Sequence, residues 1–414
     1  MVLKSDYLNE IEKRGFIYQS SDIEELDRVL YKNKITGYIG FDITSDSLHV
    51  GSLVQLMLLY WLDFYGNNAF ALVGGGTTLV GDPSGKDSTR KILTKNNIDK
   101  NILNISDTFN KFINLKKNSR IVNNYEWLSE INYIDFLREI GSKITLNKML
   151  TFDSIKNRLD REQSLSILEF NYMLLQAYDF YYLNKNFDCQ LQMGGSDQWG
   201  NILSGIDLIK KISNKKAFGI TSPLITNSDG SKMGKTADGA VWLDEKKLSN
   251  YDFFQFWRNV DDTNVPKFLN LFTNLPISEI KKLSVLKDKE INESKQILAF
   301  EITKMVRGLN GALEAKEISE NLFKSKIIDE RVINYSINFK ELEKKSFTII
   351  DAVEKLGLVF SRSETKRLIK SGGIKLNDKI YYNTDYSLEE YVSSKQIKIT
   401  IGKKKIGIIN IIKK

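Results

Sequence analysis

The sequence predicts an α/β fold built on a parallel sheet with helices on both faces. Two short apolar runs, residues 35–42 and 69–75, end in aspartate or glycine, as buried parallel strands do. Between them, residues 50–65 have the length of a helix and apolar side chains on almost every side. Residues 187–194 and 218–226 are predicted to be later strands of the same sheet.

The length and the pattern together predict several domains. A chain of 414 residues is too long for one compact core. Mainly helical patterns interrupt the alternation at about 95–182 and return at 244–323, and a charged, weakly periodic stretch follows. We predict a catalytic domain at 1–225 with a helical insertion at about 95–182, a helical domain at 226–325, a linker at 326–345 and a C-terminal domain at 346–414.

Composition narrows the function classes. No apolar run reaches the ~18–20 residues that span a bilayer, and the N-terminus has no signal-peptide pattern. A single cysteine, Cys189, allows no internal disulfide, and one cysteine with one histidine cannot form an ordinary zinc site. We therefore expect a cytosolic protein that has no membrane-spanning segment and binds no resident metal ion.

The positive charge is concentrated at the C-terminal end. Residues 341–414 hold 16 Lys and Arg against nine Asp and Glu, which accounts for +7 of the net charge of +8. Compositional bias toward lysine would spread this charge along the whole chain. A concentrated basic segment instead indicates a nucleic-acid contact.

Three polar clusters follow predicted strands, at residues 42–49, 81–90 and 194–201. The carboxyl ends of parallel strands meet at one edge of a sheet, so we predict one shared site. The first cluster opens a helix whose N-terminus suits phosphate, with Ser47 or Asp46 as the expected cap. It also contains His49, the only histidine of the chain.

The second cluster matches neither common nucleotide-binding motif. Three residues separate Gly81 from the next glycine, one fewer than a P-loop requires. A turn with one carboxylate, Asp82, and two cations, Lys86 and Arg90, remains. A solvated surface turn is the alternative interpretation.

The third cluster, residues 191–201, places amides and a carboxylate around a glycine pair. Upstream, Tyr172, Gln176 and Asp179 fall at i, i+4 and i+7 of a predicted helix whose other residues are largely apolar. A polar stripe on such a helix indicates a pocket. Later, Lys232 and Lys235 lie in a glycine-containing loop that can contact pyrophosphate.

These segments together resemble the class I aminoacyl-tRNA synthetases. Residues 49–52, His-Val-Gly-Ser, are similar to the family's HIGH signature, and residues 232–236, Lys-Met-Gly-Lys-Thr, are similar to its KMSKS signature. The runs YIGFDITSDSLHVG, LVGGGTTLVGDPSGK, LLQAYDF and LQMGGSDQWGN resemble the bacterial tyrosyl-tRNA synthetases in particular. The resemblance covers nearly the whole chain.

The resemblance implies an activity and a role for each matching residue. The activity is the ATP-dependent, Mg²⁺-assisted activation of L-tyrosine and its transfer to the 3′ end of tRNA(Tyr). The implied tyrosine-binding residues are Tyr38, Asp82, Tyr172, Gln176, Asp179 and Gln198. The implied ATP-binding residues are Asp42, Thr44, His49, Gly51, Ser52, Asp197, Lys232 and Lys235, and Thr44, His49, Lys86, Arg90, Lys232 and Lys235 are the implied catalytic set. Within the ATP-binding set, Asp42 and Asp197 are the residues implied to contact the nucleoside.

The resemblance also implies an architecture. It predicts a Rossmann-type catalytic domain, a helical insertion that forms a homodimer interface, a helical domain near the anticodon and a small α+β module similar to the RNA-binding domain of ribosomal protein S4. Residues 348–377 match that module. Its second helix carries the implied RNA contacts Arg362, Lys366, Arg367 and Lys370.

The sequence departs from the family pattern at three places. Ser52 replaces the second histidine of HIGH, and Gly234 and Thr236 replace two serines of KMSKS. Ile43 replaces the usual proline, which is expected to loosen the loop before Thr44. Two alternatives stay open: a tryptophanyl-tRNA synthetase, which shares the fold and the signatures, and a non-catalytic RNA-binding descendant, which Ser52 favours.

Overall fold

A computed structural model describes residues 2–82, 93–163, 166–226, 233–236, 239–288, 290–324, 333–338, 347–359, 361–391, 394–402 and 405–412. These residues divide into two compact units, Met1–Glu317 and Ile318–Lys414. Each unit has its own apolar core. Within the described part of the chain, no helix combines the length and the apolar character that crossing a membrane requires.

The first unit is organised around a mixed sheet of six strands. In chain order these are β1 (Gln19–Ser20), β2 (Thr36–Phe41), β3 (Asn68–Val73), β4 (Arg120–Asn123), β5 (Cys189–Gly195) and β6 (Phe218–Ser222). Their spatial order is β1-β6-β5-β2-β3-β4, and all neighbours are parallel except the edge pair β1–β6. The carboxyl ends of five parallel strands therefore share one edge, as predicted.

Helices connect and cover these strands. They are α1 (Asp6–Lys13), α2 (Ile23–Lys32), α3 (Leu53–Phe64), α4 (Thr77–Val80), α5 (Lys95–Asn110), α6 (Tyr125–Leu128), α7 (Tyr133–Glu139), α8 (Leu146–Leu150), α9 (Asp153–Asp160), α10 (Ile167–Phe187) and α11 (Trp199–Ser213). The predicted helix at 50–65 begins as a 3₁₀ turn, Val50–Ser52, and continues as α3. Most of α3 is buried, which explains its apolar residues on every side.

One strand of this sheet, β4, lies within the range predicted to be a helical insertion. It has only two apolar residues, Ile121 and Val122, between an arginine and an asparagine. So short a run gives no clear strand signal, yet pairing with β3 places it at the edge of the sheet. The insertion is therefore helical only in part.

The last quarter of the first unit, after residue 240, is helical, and its final helix continues past the unit boundary at Glu317. A two-stranded ribbon, β7 (Lys235–Thr236) with β8 (Gly239–Ala240), precedes α12 (Asn250–Arg258), α13 (Val265–Phe272), α14 (Ile277–Ser284) and α15 (Ile291–Lys324). Helix α15 is interrupted at Gly308, whose φ of 83° is non-helical. Glycine is the residue that reaches this conformation without strain.

The second unit is an α+β module. Its helices are α16 (Ile349–Lys355) and α17 (Arg362–Lys370), and its strands are β9 (Ile333–Asn338), β10 (Ile374–Leu376), β11 (Lys379–Ile380), β12 (Gln396–Ile401) and β13 (Lys405–Ile412). The strands form one sheet in the order β11-β10-β12-β13-β9. The parallel Rossmann-like sheet, the helical regions and this small module confirm the predicted fold class.

Strand β9 lies within the range predicted to be a linker. It alternates Ile333, Tyr335 and Ile337 with polar residues and pairs in parallel with β13. This period-two pattern is the signature of a half-buried strand. The charged residues on both sides of it concealed that signature.

Candidate active site

Two polar side chains that were predicted to act together lie in the buried interior of the first unit. Tyr38 lies in the middle of β2 and Asp179 lies in α10, and they are 1% and 2% exposed. Asn124 Nδ2 and Trp127 Nε1 donate to the two Asp179 carboxylate oxygens at 2.9 and 2.7 Å. Among the described residues, neither Tyr38 Oη nor Gln192 Oε1, on the neighbouring strand β5, has a hydrogen-bond partner.

Burial controls the electrostatics of this pair. It raises the pKa of Asp179 to about 7, although the hydrogen bonds from Asn124 and Trp127 oppose the shift, and the nearby Asp42 adds to it. Burial and then the charge of Asp179 raise the pKa of Tyr38 well above its ordinary value. Tyr38 is therefore a neutral hydroxyl close to a carboxylate. Together they form a buried group that can exchange hydrogen bonds with a hydroxyl.

A separate chain of amides begins at Gln176, which precedes Asp179 by three residues on α10. Asn201 Nδ2 donates to Gln176 Oε1 at 2.9 Å and to Gln198 Oε1 at 3.1 Å. Gln198 Nε2 in turn donates to Asp82 Oδ2 at 3.0 Å. This network fixes the orientation of both glutamines and presents a carboxylate at its end.

The predicted face of α10 contacts the loop after β2. Tyr172 Oη donates to Asp42 Oδ1 at 3.1 Å. Gly74, directly after β3, lies against the same carboxylate, since a Cβ there would come within 3.1 Å of Asp42 Oδ1 and 2.5 Å of Thr77 Oγ1. Glycine is therefore required for the close approach of these two strand ends.

The only histidine caps the turn that leads into α3. His49 Nδ1 accepts from Gly51 N at 3.0 Å, so the proton of the neutral ring is on Nε2. The predicted caps have other partners. Ser47 Oγ donates to Leu48 O at 2.8 Å, and Asp46 forms an ion pair with Lys247.

The two signature segments lie side by side. Val50 N donates to Val241 O at 2.9 Å, and Val241 N donates to Gly234 O at 3.0 Å. Gly234 has φ of 101°, and a Cβ there would lie 2.9 Å from His49 Nδ1. Residue 234 therefore favours glycine both for its backbone conformation and for the space beside the histidine.

The loop before Thr44 is tied more firmly than expected. Ile43 N donates to Thr78 Oγ1 at 2.8 Å, and the Ile43 side chain is 1% exposed. A proline has no N–H and cannot form this bond. The expectation that Ile43 loosens the loop was therefore wrong, because the isoleucine gains a hydrogen bond and a buried side chain.

The remaining predicted residues differ in what the structure describes. Thr44 is exposed in the loop after β2, while Gly51, Ser52 and Asp197 are half-buried at the same edge of the sheet. Lys86, Arg90 and Lys232 lie outside the described residues. Of Lys235, only the main chain, in β7, is described.

Four residues of the site were not among those predicted from the sequence, and one of them is Asn201, which links Gln176 to Gln198. Asn124 and Trp127 follow β4, and their absence from the prediction follows from the failure to identify that strand. Gln192 stands in the middle of β5, opposite Tyr38, where an apolar residue is usual. Gln190 and Gln192 alternate with apolar residues as solvent-facing residues do, so nothing in the sequence indicated that Gln192 is buried.

The predicted RNA contacts all lie on α17. Lys366, Arg367 and Lys370 are exposed, whereas Thr365 and Ile369 face the core. Arg362 differs, because its guanidinium forms ion pairs with the carboxylates of two residues of α16, Asp351 and Glu354. Within the described residues, no group of three or more His, Cys, Asp and Glu is arranged to hold a metal ion.

The chain is similar to one family of known proteins along most of its length. Residues 31–324 match the family described as tRNA synthetases class I (W and Y). The tyrosine–tRNA ligase of Wolbachia pipientis subsp. Culex pipiens (strain wPip) is 48% identical over 408 residues, which is 97% of each chain. That of Pelagibacter ubique (strain HTCC1062) is 49% identical over 403 residues, 96% of this chain and 98% of the relative.

A solved structure shares the fold. A C-terminally truncated mitochondrial tyrosyl-tRNA synthetase of Aspergillus nidulans superposes with a TM-score of 0.69 at 30% identity. The match covers 77% of this chain and 94% of that one.

Proposed function

The chain belongs to the class I tRNA synthetases of the tryptophan and tyrosine group, and from that premise we propose that it activates L-tyrosine with ATP and transfers it to the 3′ end of tRNA(Tyr). The first step forms tyrosyl-adenylate and releases pyrophosphate. The second step forms tyrosyl-tRNA and releases AMP. Two relatives named tyrosine–tRNA ligase are 48–49% identical to this chain, and the similarity covers nearly the whole length of each.

The choice of tyrosine depends on one observation, the buried pair Tyr38 and Asp179. Tyr38 Oη has no hydrogen-bond partner among the described residues, and the adjacent carboxylate is an acceptor. A substrate phenol would donate to Asp179 and accept from Tyr38. Phenylalanine would leave the buried Tyr38 hydroxyl unpaired and would give Asp179 no donor beyond Asn124 and Trp127, which is costly.

The other polar groups suit the remainder of the amino acid. We assign Tyr172, Gln176 and Asp82 to the substrate ammonium and Gln198 to its carboxylate. Two carboxylates, Asp42 and Asp82, are hydrogen-bonded into this region by Tyr172 and Gln198. Their negative charge favours an ammonium group.

Activation requires no general base, because the tyrosine carboxylate is already a nucleophile. Its attack on the α-phosphate depends on positioning and on the neutralisation of developing charge. We assign hydrogen-bond donation to the phosphates to Thr44 and to His49 Nε2–H. The lysines and the arginine of the two loops, Lys86, Arg90, Lys232 and Lys235, would neutralise the pyrophosphate, and Mg²⁺ would enter with ATP as part of that substrate.

The nucleoside would lie across the strand ends next to this point. We assign Asp42 and Asp197 to nucleoside contacts, with Gly51 and Ser52 at the N-terminus of α3 beside them. The backbone N–H groups of the turn Val50–Ser52 already donate to Val241 O, His49 Nδ1 and His49 O. Contacts of this turn with the nucleotide would therefore come from the Ser52 hydroxyl and from close approach at Gly51.

The second unit would bind tRNA through α17. Three of its exposed cations, Lys366, Arg367 and Lys370, would contact RNA phosphates, and Arg362, which is paired with Asp351 and Glu354, would contribute less. Because ATP and tRNA occur together in the cytosol, we place the protein there, and cell fractionation tests this.

We also propose a homodimer through the helical insertion. Large apolar side chains on four consecutive helices are 38–79% exposed, an unusual density for a surface. They are Tyr133, Ile134, Leu137, Leu146, Leu150, Leu159, Ile167 and Leu168. Light scattering should give twice the chain mass, and Ile134→Asp with Ile167→Asp should give the monomer; a monomeric wild-type protein contradicts the proposal.

The first experiment is tyrosine-dependent exchange of pyrophosphate into ATP without tRNA, with tryptophan and phenylalanine as controls. Exchange with tyrosine alone supports the activation step and the substrate together. Exchange with tryptophan instead favours the tryptophanyl alternative. No exchange from folded protein that still binds tRNA favours the RNA-binding alternative.

A further inference from the structure

Arg307 is a buried arginine whose contacts lead toward the active site. It directly precedes the break of α15 at Gly308 and is 9% exposed. Its Nη2 donates to two main-chain carbonyls, Trp242 O at 3.0 Å and Leu248 O at 3.1 Å. Its guanidinium also lies 4.9 Å from the centre of the Phe253 ring. Both carbonyls belong to residues 241–249, the segment that joins the β7–β8 ribbon to α12.

That segment is bound on its other side to both signature regions. Leu243 N donates to Leu48 O at 2.8 Å, and Trp242 is bridged in antiparallel fashion to His49. Val241 accepts from Val50 and donates to Gly234, as described above. Residues 241–243 therefore lie between the turn that contains His49 and the segment that contains Gly234, and Arg307 binds the Trp242 carbonyl of this segment.

The contact joins one nitrogen to two carbonyls. Nη2 of Arg307 carries two N–H groups, one for each carbonyl, while the buried Nε and Nη1 have no hydrogen-bond partner among the described residues. Burial lowers the pKa of Arg307 to about 10, and the charges of Glu245 and Asp244 oppose this shift. The group therefore stays charged at neutral pH. A second cation, Lys111, donates to Val306 O at 2.7 Å, so the main chain beside Arg307 is held as well.

We propose that Arg307 is a positioning residue for the activation step. It holds residues 242–248 so that His49 and Gly234 keep the geometry that the phosphates require in the transition state. The helical region thereby acts on the chemistry through the main chain of one segment. This inference rests on the proposed synthetase function and adds a residue that contacts no substrate.

The molecule contains a matched control, Arg14. It is 3% exposed and donates to three main-chain carbonyls, Asn270 O, Thr273 O and Leu275 O, at 2.7–3.1 Å. Its guanidinium also lies over an aromatic ring, that of Trp61, at 4.2 Å. Arg14 therefore has a similar structural role, although its Nε also forms an ion pair with Glu10. The carbonyls it binds lie in the last turn of α13 and just after it, outside both signature segments.

The test compares Met and Lys variants at both positions by thermal unfolding and by pyrophosphate exchange. All four should unfold at lower temperature. Arg307→Met should lower the exchange kcat by ~10-fold or more, since small displacements in an active site have effects of this size, and should leave the KM for tyrosine within about twofold. Arg307→Lys should recover part of the rate. Arg14→Met should keep kcat within about twofold.

The outcomes separate the two proposals. Wild-type protein without tyrosine-dependent exchange contradicts the proposed function. Wild-type exchange with equal kcat values for Arg307→Met and Arg14→Met, measured well below both unfolding temperatures, overturns the positioning role alone. If the Met variants do not fold, the Lys variants decide. A kcat that falls for Arg307→Lys but not for Arg14→Lys supports the positioning role. Values that are unchanged or equally lowered in both variants refute it.

Discussion

The two ends of the candidate site are built differently. At the tyrosine end, Tyr38 and Asp179 are buried side chains on a strand and a long helix, and Asn124 and Trp127 hold the carboxylate. At the phosphate end, main-chain hydrogen bonds between short segments place His49 beside Gly234.

This contrast matches what each end has to do. Selecting a phenol from other side chains requires fixed, desolvated groups, and these are easiest to hold inside a core. Phosphate chemistry requires hydrogen-bond donors that bind ATP and then release pyrophosphate. Loops permit this because they can move between the two steps. Variants at the tyrosine end should therefore change the KM for tyrosine, and variants at the phosphate end should change kcat.

The largest expected effect is at the phosphate end. His49→Ala removes the Nε2–H donor, and loss of one donor to transition-state charge lowers a rate by ~10²–10³-fold. We expect that loss in the kcat of pyrophosphate exchange, with the KM for tyrosine little changed. His49→Gln, which keeps an N–H donor, serves as the control. A rise in KM with kcat preserved would contradict the division between the two ends.

At the tyrosine end, Asp179→Asn should raise the KM for tyrosine by ~10–10²-fold, the range for a hydrogen bond to a charged group. The KM for ATP is the internal control and should stay within about twofold. Equal increases for both substrates would mean that Asp179 does not select the amino acid.

The sequence predicted the tyrosine end only in part. The spacing of Tyr172, Gln176 and Asp179 predicted a polar helix face, because helical periodicity depends only on sequence. Asn124 and Trp127 could not be found in the same way, since β4 has only two apolar residues and acquires its place through pairing with β3.

Long-range main-chain contacts were also outside the reach of sequence reasoning. A lone arginine in a charged helix is usually solvated, and nothing in its neighbours reveals that Arg307 meets the carbonyl of a residue 65 positions away. Ile43 illustrates the same limit, because the loss of a proline was visible whereas the hydrogen bond to Thr78 was not. Periodicity predicts which face is buried, and tertiary contacts decide which partner it meets.

A smaller effect is expected in the second unit. Replacing Lys366, Arg367 and Lys370 by alanine should weaken tRNA binding by ~10-fold at moderate salt and flatten the salt dependence, because fewer counterions are released. Arg362→Ala should have less effect, since its guanidinium is engaged by two carboxylates. Replacing Lys13, Lys32 and Lys34 of the first unit gives a control of equal charge. The same loss in that control would show a non-specific charge effect.

An effect of similar size is expected in the pH profile of tyrosine binding. The pKa of Asp179 is about 7, above its ordinary value of 3.8, because the carboxyl is buried. An acid with a raised pKa destabilises the folded protein progressively as pH rises from about 4 to 7, since ionisation is harder there than in the unfolded chain. Tyrosine binding has the opposite dependence, because the ionised form is the better acceptor for a phenol. Affinity should therefore fall by ~10-fold between pH 8 and pH 6.

Trp127→Phe tests whether the surrounding donors set this midpoint. The indole N–H donates to Asp179 Oδ1 and lowers its pKa, so its loss should raise the pKa and move the midpoint of tyrosine binding above pH 7. At pH 7 the variant should bind tyrosine a few-fold more weakly, and at pH 9 the difference should shrink as Asp179 ionises in both proteins. Isothermal titration across this range measures the shift. A constant difference at every pH would show that Trp127 acts by packing alone, and that the buried donors do not tune the tyrosine end.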